Sequence, residues 1–319
     1  MPGVILALLP NGKIQNISRR STALFREKFF TNQQNWPDLD VSESSSILCL
    51  DSYLQGLPRQ LYPNGGVDQL ADWDGFRKVV DGLIKSVASE SDIRGKINDR
   101  ADRLTTIILE LFKNTHDHAR YSVDGKIIAD SIRGLYARFY PIEKLKPIIA
   151  AKKEEFFNQA ERYVHLLMQP HSQIPLKKSQ RDLTGFLEIS IFDSGPGLAA
   201  KWLHNDVSGV GPQEQLAAVM ECFGKGRSSL SSGSRGFGLW KVLEELKQLK
   251  GMIRVRTNRV HALRQYAILE GLYRDQHPDG YSSPQVVMLD WRRGYTQKLS
   301  EYPAVEGTLI SVLLPLGDL

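Results

Sequence analysis

Hydrophobic positions along this chain change period several times, and each change marks a predicted element. Leu104, Ile107, Ile108, Leu111 and Phe112 recur at i, i+3 and i+4, which predicts one long core-facing helix over 97–119. Phe76, Val79, Val80, Leu83 and Ile84 give the same spacing and predict a helix over 74–87. Between 186 and 192 the period drops to two: Leu187, Ile189 and Ile191 alternate with Glu188 and Ser190. That alternation predicts a half-exposed strand, with Asp193 just beyond it on the buried side. Leu239 to Leu249 reads as a helix ended by Gly251. Further strands are expected at 4–9, 47–50, 252–257, 266–269, 286–289 and 308–314, with a tight turn at Asn11-Gly12. The stretch 132–168 is expected to form a helical insert, broken in its first part by Pro141 and Pro147.

This order of elements suggests two parts. Residues 1–95 look like an N-terminal α/β extension or separate module that carries no chemical motif, and 96–319 like the functional domain. A length of 319 residues is compatible with that division. Forty-one basic against 36 acidic residues give a net charge of +5, too mild for a basic tail, so a dedicated nucleic-acid surface is not indicated. Two cysteines, Cys49 and Cys222, exclude a multi-thiolate zinc site and a disulfide framework. The apolar run 4–9 is short and follows no Lys or Arg, and no later segment approaches spanning length. A cytoplasmic protein with no membrane association is expected.

Chemistry concentrates in three places. Glu110, Asn114 and Asp117 fall within a narrow arc of the long helix, with His118 at its edge. This stripe flanks the apolar one, so its groups stand at the rim of the core. Asn114 offers a neutral oxygen to a Mg²⁺ that keeps waters and phosphate oxygens, and Glu110 can orient and deprotonate a water. Asp193-Ser-Gly-Pro-Gly197 follows a strand, and an ionised aspartate there accepts hydrogen bonds only, which suits an amino-bearing base. Gly224–Gly238 is basic and rich in small residues, and it leads into a helix whose free N–H groups attract phosphate. Lys225, Arg227 and Arg235 add positive charge there. Taken singly, these are also a solvated helix face, a common turn and a linker. No P-loop pattern is present.

In this order the blocks resemble the GHKL superfamily of gyrase, the large heat-shock chaperone, histidine kinases and MutL. Glu110–Ala119 resembles its N box, Asp193–Gly197 the first glycine box, Ser234–Leu239 the second, and Gly307-Thr308 the closing Gly-Thr. The resemblance covers about residues 97–319. It implies an α+β fold, the two-layer α/β sandwich of the Bergerat type, with a mixed, mainly antiparallel sheet and helices on one face. ATP and Mg²⁺ are the implied cofactors, with an ATP lid over about 198–235. By the same resemblance Glu110 is the general base and Asn114 the metal ligand. Asp117 and His118 are polar positions near the nucleotide, and Asp193 with Gly195 and Gly197 reads adenine. Gly236, Phe237, Gly238 and Leu239 form the phosphate turn, and Thr308 supports Asp193. The segments 120–192 and 252–307 are longer than the family pattern.

Three functions follow: an ATPase that switches a protein partner or homodimer, a kinase acting on a separate protein, and a nucleotide sensor. All seven histidines lie at 116 or later, so autophosphorylation of an upstream histidine helix is not expected. Glu110 favours the ATPase, because binding alone needs no group to orient water.

Overall fold

A computed structural model describes residues 44–51, 57–129, 131–169, 183–226, 237–267, 286–294 and 299–317. The strand expected at 4–9 and the turn at Asn11-Gly12 lie outside these residues. The fold is α+β. Seven strands form one sheet: β1 (Ser44–Leu50), β2 (Ile132–Pro141), β3 (Gly185–Asp193), β4 (Met252–Asn258), β5 (Val260–Gln265), β6 (Leu289–Asp290) and β7 (Val305–Leu316). Their spatial order is β1-β2-β3-β7-β4-β5-β6. Every pair is antiparallel, so the expected mixed character is absent among the described strands.

The helices are α1 (Trp73–Val87), α2 (Ser91–Asn98), α3 (Ala101–His118), α4 (Ile142–Ala150), α5 (Gln159–Met168), α6 (Leu198–Leu203), α7 (Pro212–Cys222) and α8 (Gly238–Gln248). Asp72 caps α1 by accepting from Gly75 N at 2.9 Å. The helix expected over 97–119 is broken after Asn98. Arg100 at the break donates to the carbonyl of Gly317 at 2.7 Å, and that tertiary tie outweighs local continuity. Among the described residues no helix is long and apolar enough to cross a membrane.

The larger core lies between one sheet face and α1, α3, α6, α7 and α8, with Leu187, Ile189 and Ile191 of β3 pointing into it. Ile47 and Cys49 of β1 and Phe76 and Val80 of α1 belong to this same core. A second cluster covers part of the other face, where Phe186, Met252 and Leu263 meet Tyr163, Val164 and Leu167 of α5. Helices therefore flank both faces, not one. The polar face of β3 is correspondingly covered, with Ser190 only 2% exposed rather than half-exposed.

Two local expectations also change. Residues 132–141 form β2 instead of the start of a helical insert, because Leu135, Ala137 and Phe139 alternate into the core. The insert reduces to α4 and α5; Pro141 immediately precedes α4 and Pro147 sits inside it. Of the strand expected at 266–269, residues 266 and 267 form a bend and 268–269 lie outside the described residues; β5 ends just before them, after a left-handed Asn258 turns the chain back against β4.

The hydroxyl of Tyr163, fully buried, donates to the carbonyl of Lys250 at 2.6 Å and joins α5 to the turn before β4. Tyr163→Phe is expected to cost about 1–2 kcal/mol, and Tyr163→Ala about 3–5 kcal/mol, in denaturant unfolding. No change in either would mean that the α4–α5 insert does not pack on the sheet.

Candidate functional site

At one end of the sheet five polar positions line up across neighbouring strands on the core-facing side: Cys49, Arg133, Asp193, Thr308 and Thr257. Asp193 stands in the middle of this row and is 4% exposed. One carboxylate oxygen accepts from Gly195 N at 2.9 Å and from Thr308 N at 3.2 Å. Burial pushes the carboxyl up to about 7, against the pull of these two N–H donors and of Arg133. The group thus has a built site, yet changes charge near neutrality.

The surrounding loops approach closely. A Cβ on Gly195 would lie 2.5 Å from the Ala119 Cα, so only glycine lets the loop after β3 meet the end of α3. Gly307 has φ +81° and donates to the Gly195 carbonyl at 2.7 Å, and a side chain there would strike the Asp193 carbonyl. Ser194 binds β2 twice, donating from N to Ile132 O and accepting from Ile132 N, both at 2.9 Å. Gly197 opens α6, and Leu198 N donates to Thr257 Oγ1 at 3.0 Å. Thr308 Oγ1 lies 3.2 Å from Thr257 Oγ1.

Along α3 the chemistry runs away from this corner. Asn114, Asp117 and His118 are half-buried on its last turns. Glu110 stands roughly 13 Å up the axis from Ala119 and next to α8: its carboxylate is 2.8 Å from where a Cβ of Gly238 would be. Lys241 on the same helix pairs with Glu110 at 2.9 Å. The structure therefore brings Asp193, Gly195 and Thr308 together at the C-terminal end of α3 and Glu110 with Gly238 near its middle, with Asn114 between. Lys225 is exposed after α7, and Phe237, 43% exposed, precedes α8. Leu239 turns its side chain into the core, so only its backbone faces the site's chemistry. Gly236, Arg227 and Arg235 lie outside the described residues, as does most of 226–236. The remainder of the expected lid, α6 and α7, buries Leu198, Leu216 and Val219 in the core.

Several contributors escaped the sequence reading. Arg133 is fully buried beside Asp193 and donates to Asp51 and to the Tyr62 hydroxyl. The Tyr62 hydroxyl in turn lies 3.0 Å from His116 Nδ1. Burial, with Arg133 and Arg120 nearby, pushes His116 down to about 4, so the ring is neutral. A charged residue in the apolar alternation of β2 was the one available signal for Arg133. Lys241, Thr257, Asp51 and Tyr62 carry no local mark. Among the described residues no three His, Cys, Asp or Glu side chains form a metal cage. A cation here would depend on Asn114 together with oxygens brought by a ligand.

Because the raised carboxyl of Asp193 holds its proton in the folded state longer than in the unfolded chain, stability falls as pH rises from about 4 to about 7. Asp193→Asn is expected to melt higher than wild type at pH 8, by an amount that shrinks towards pH 4; the limiting difference is on the order of 4 kcal/mol. Parallel melting curves across that range would contradict the buried, ionisable role. No family model matches this chain, and comparison with curated proteins and with solved structures returns no significant match.

Proposed function

We propose that this protein binds Mg-ATP through a GHKL-type, Bergerat-like site, hydrolyses it slowly, and uses the bound state to switch a protein partner or a second copy of itself. The observation that carries this reading is Asp193: a buried carboxylate at a strand end, held by the N–H groups of Gly195 and Thr308 beneath a glycine turn that touches α3. An ionised carboxylate in that setting accepts from an adenine amino group and rejects the carbonyl of guanine. One Mg²⁺ would be held by Asn114 and the phosphates and would neutralise phosphate charge. The free N–H groups opening α8 suit the phosphate end. Glu110, beside Gly238, is the residue positioned to orient water. A cytoplasmic setting accords with this reading.

A second reading is favoured by one contact. Lys241 occupies one oxygen of Glu110 at 2.9 Å, and a general base so paired is weaker until the lysine leaves. If the pair persists with nucleotide bound, the site senses ATP without turning it over.

Incubation with γ-labelled ATP and Mg²⁺ separates the readings. The ATPase releases labelled phosphate, Glu110→Ala lowers that release by about 10²-fold or more, and nucleotide affinity changes little. Lys241→Met is expected to raise turnover by freeing Glu110. Label appearing on protein would instead make this a kinase. Thermal protection by ATP without turnover in wild type or Lys241→Met would leave the sensor. Asn114→Ala is expected to remove the Mg²⁺ dependence of binding, measured by calorimetry with and without chelator. Absence of any heat with adenine nucleotides would end the proposal.

A further inference from the structure

Arg133 is buried at 0% exposure and sits directly opposite Asp193 on the adjacent strand, facing the same side of the sheet. Its guanidinium is only partly neutralised. One nitrogen donates to Asp51 and another to the Tyr62 hydroxyl, while Nε is buried without a hydrogen-bond partner. Asp51 is itself shared, because Arg120 Nε approaches its second oxygen at 3.4 Å, and the Nε of Arg120 is likewise buried without a hydrogen-bond partner. Two guanidiniums thus divide one carboxylate, so Asp51 balances only part of the charge of Arg133, the cation that acts on Asp193.

The other groups that face Asp193 from the same row and the glycine loop carry no negative charge to balance Arg133. From β7 and the glycine loop it meets the N–H groups of Thr308 and Gly195. Cys49 of β1 lies beyond Arg133 in the same row, and burial keeps its thiol protonated. Tyr62 is likewise held neutral by burial. On α3, His116 is neutral, and Asp117 is the one acid there close enough to act on it.

We propose that Asp51 and Arg133 are positioning residues that tune the charge on Asp193: Arg133 supplies a field that favours the ionised carboxylate against its burial, and Asp51 limits how much of that field reaches it. The consequence for nucleotide recognition rests on the function proposed above, whereas the charge itself can be measured without nucleotide. The inference gives a task to the part of the chain before residue 95: Asp51 and Tyr62 reach beneath the site from a segment that carries no recognisable motif.

The test is the titration of the Asp193 carboxyl carbon by NMR in nucleotide-free wild type, Asp51→Asn and Arg133→Met. Asp51→Asn keeps shape and a hydrogen-bond acceptor but unmasks Arg133, so the Asp193 midpoint moves down. Arg133→Met removes the cation, so it moves up. A merely structural pair would loosen the site in the same way in both variants. Movement in one common direction, or none, overturns the proposal. If Arg133→Met does not fold, Asp51→Asn decides alone: a lower midpoint supports the pair, and an unchanged or higher one refutes it. Calorimetry with ATP at pH 6 follows on the same variant, where roughly three- to tenfold tighter binding than wild type is expected. Should the NMR midpoints diverge as stated while ATP binds to no form at any pH, the charge-setting pair stands and the nucleotide reading falls.

Discussion

Burying a carboxylate at the end of a central strand is unfavourable unless hydrogen-bond donors are brought to it, and much of this molecule is arranged to supply them. Asp193 takes one N–H from its own glycine turn and another from Thr308, 115 residues later in the chain. Both require backbone to crowd the same corner. That requirement explains the close approach of Gly195 to the end of α3, and the left-handed Gly307 hydrogen-bonded back to the Gly195 carbonyl. The two donors do not return the carboxyl to its ordinary range, so the site keeps an acceptor whose charge a ligand or a neighbour can tip.

The same corner holds one buried and one partly buried arginine. Arg133 and Arg120 share Asp51, and the Tyr62 hydroxyl lies between Arg133 and a neutral His116. Replacing such a network by apolar side chains often costs little stability, so its presence beside a candidate binding site points to specificity or charge control rather than to fold strength. It also ties β1, β2, α3 and the turn at Tyr62 into one unit. The end of α3 that carries Asn114 and Asp117 is consequently anchored from below as well as from the glycine loop.

Near the middle of α3, Glu110 is held by Lys241 across the start of α8. The lysine is 56% exposed and the glutamate 15%. A half-exposed lysine exchanges partners readily, so this contact adds little to stability. Its interest is chemical: under the proposed function, displacement of Lys241 is what frees Glu110 to act as a base.

The local sequence was sufficient for whatever depends on neighbours a few residues away. Helical spacing located α1, α3 and α8, alternation located β3, and the ordered blocks at Glu110, Asp193, Gly238 and Thr308 marked positions that the fold arranges along one helix and one sheet end. It failed where long-range partners decide. Residues 132–141 look able to form a helix until β1 and β3 offer hydrogen bonds on both sides, and the apparent exposure of β3 vanishes once α5 packs over Phe186. Arg100 breaks a continuous helical pattern because a carbonyl at the chain's far end accepts its charge-assisted bond. Asp51 and Tyr62 could not be read as site residues at all. Their meaning comes from Arg133, some 70 to 80 residues later, and a buried charge finds its partners through space, where sequence separation leaves no trace.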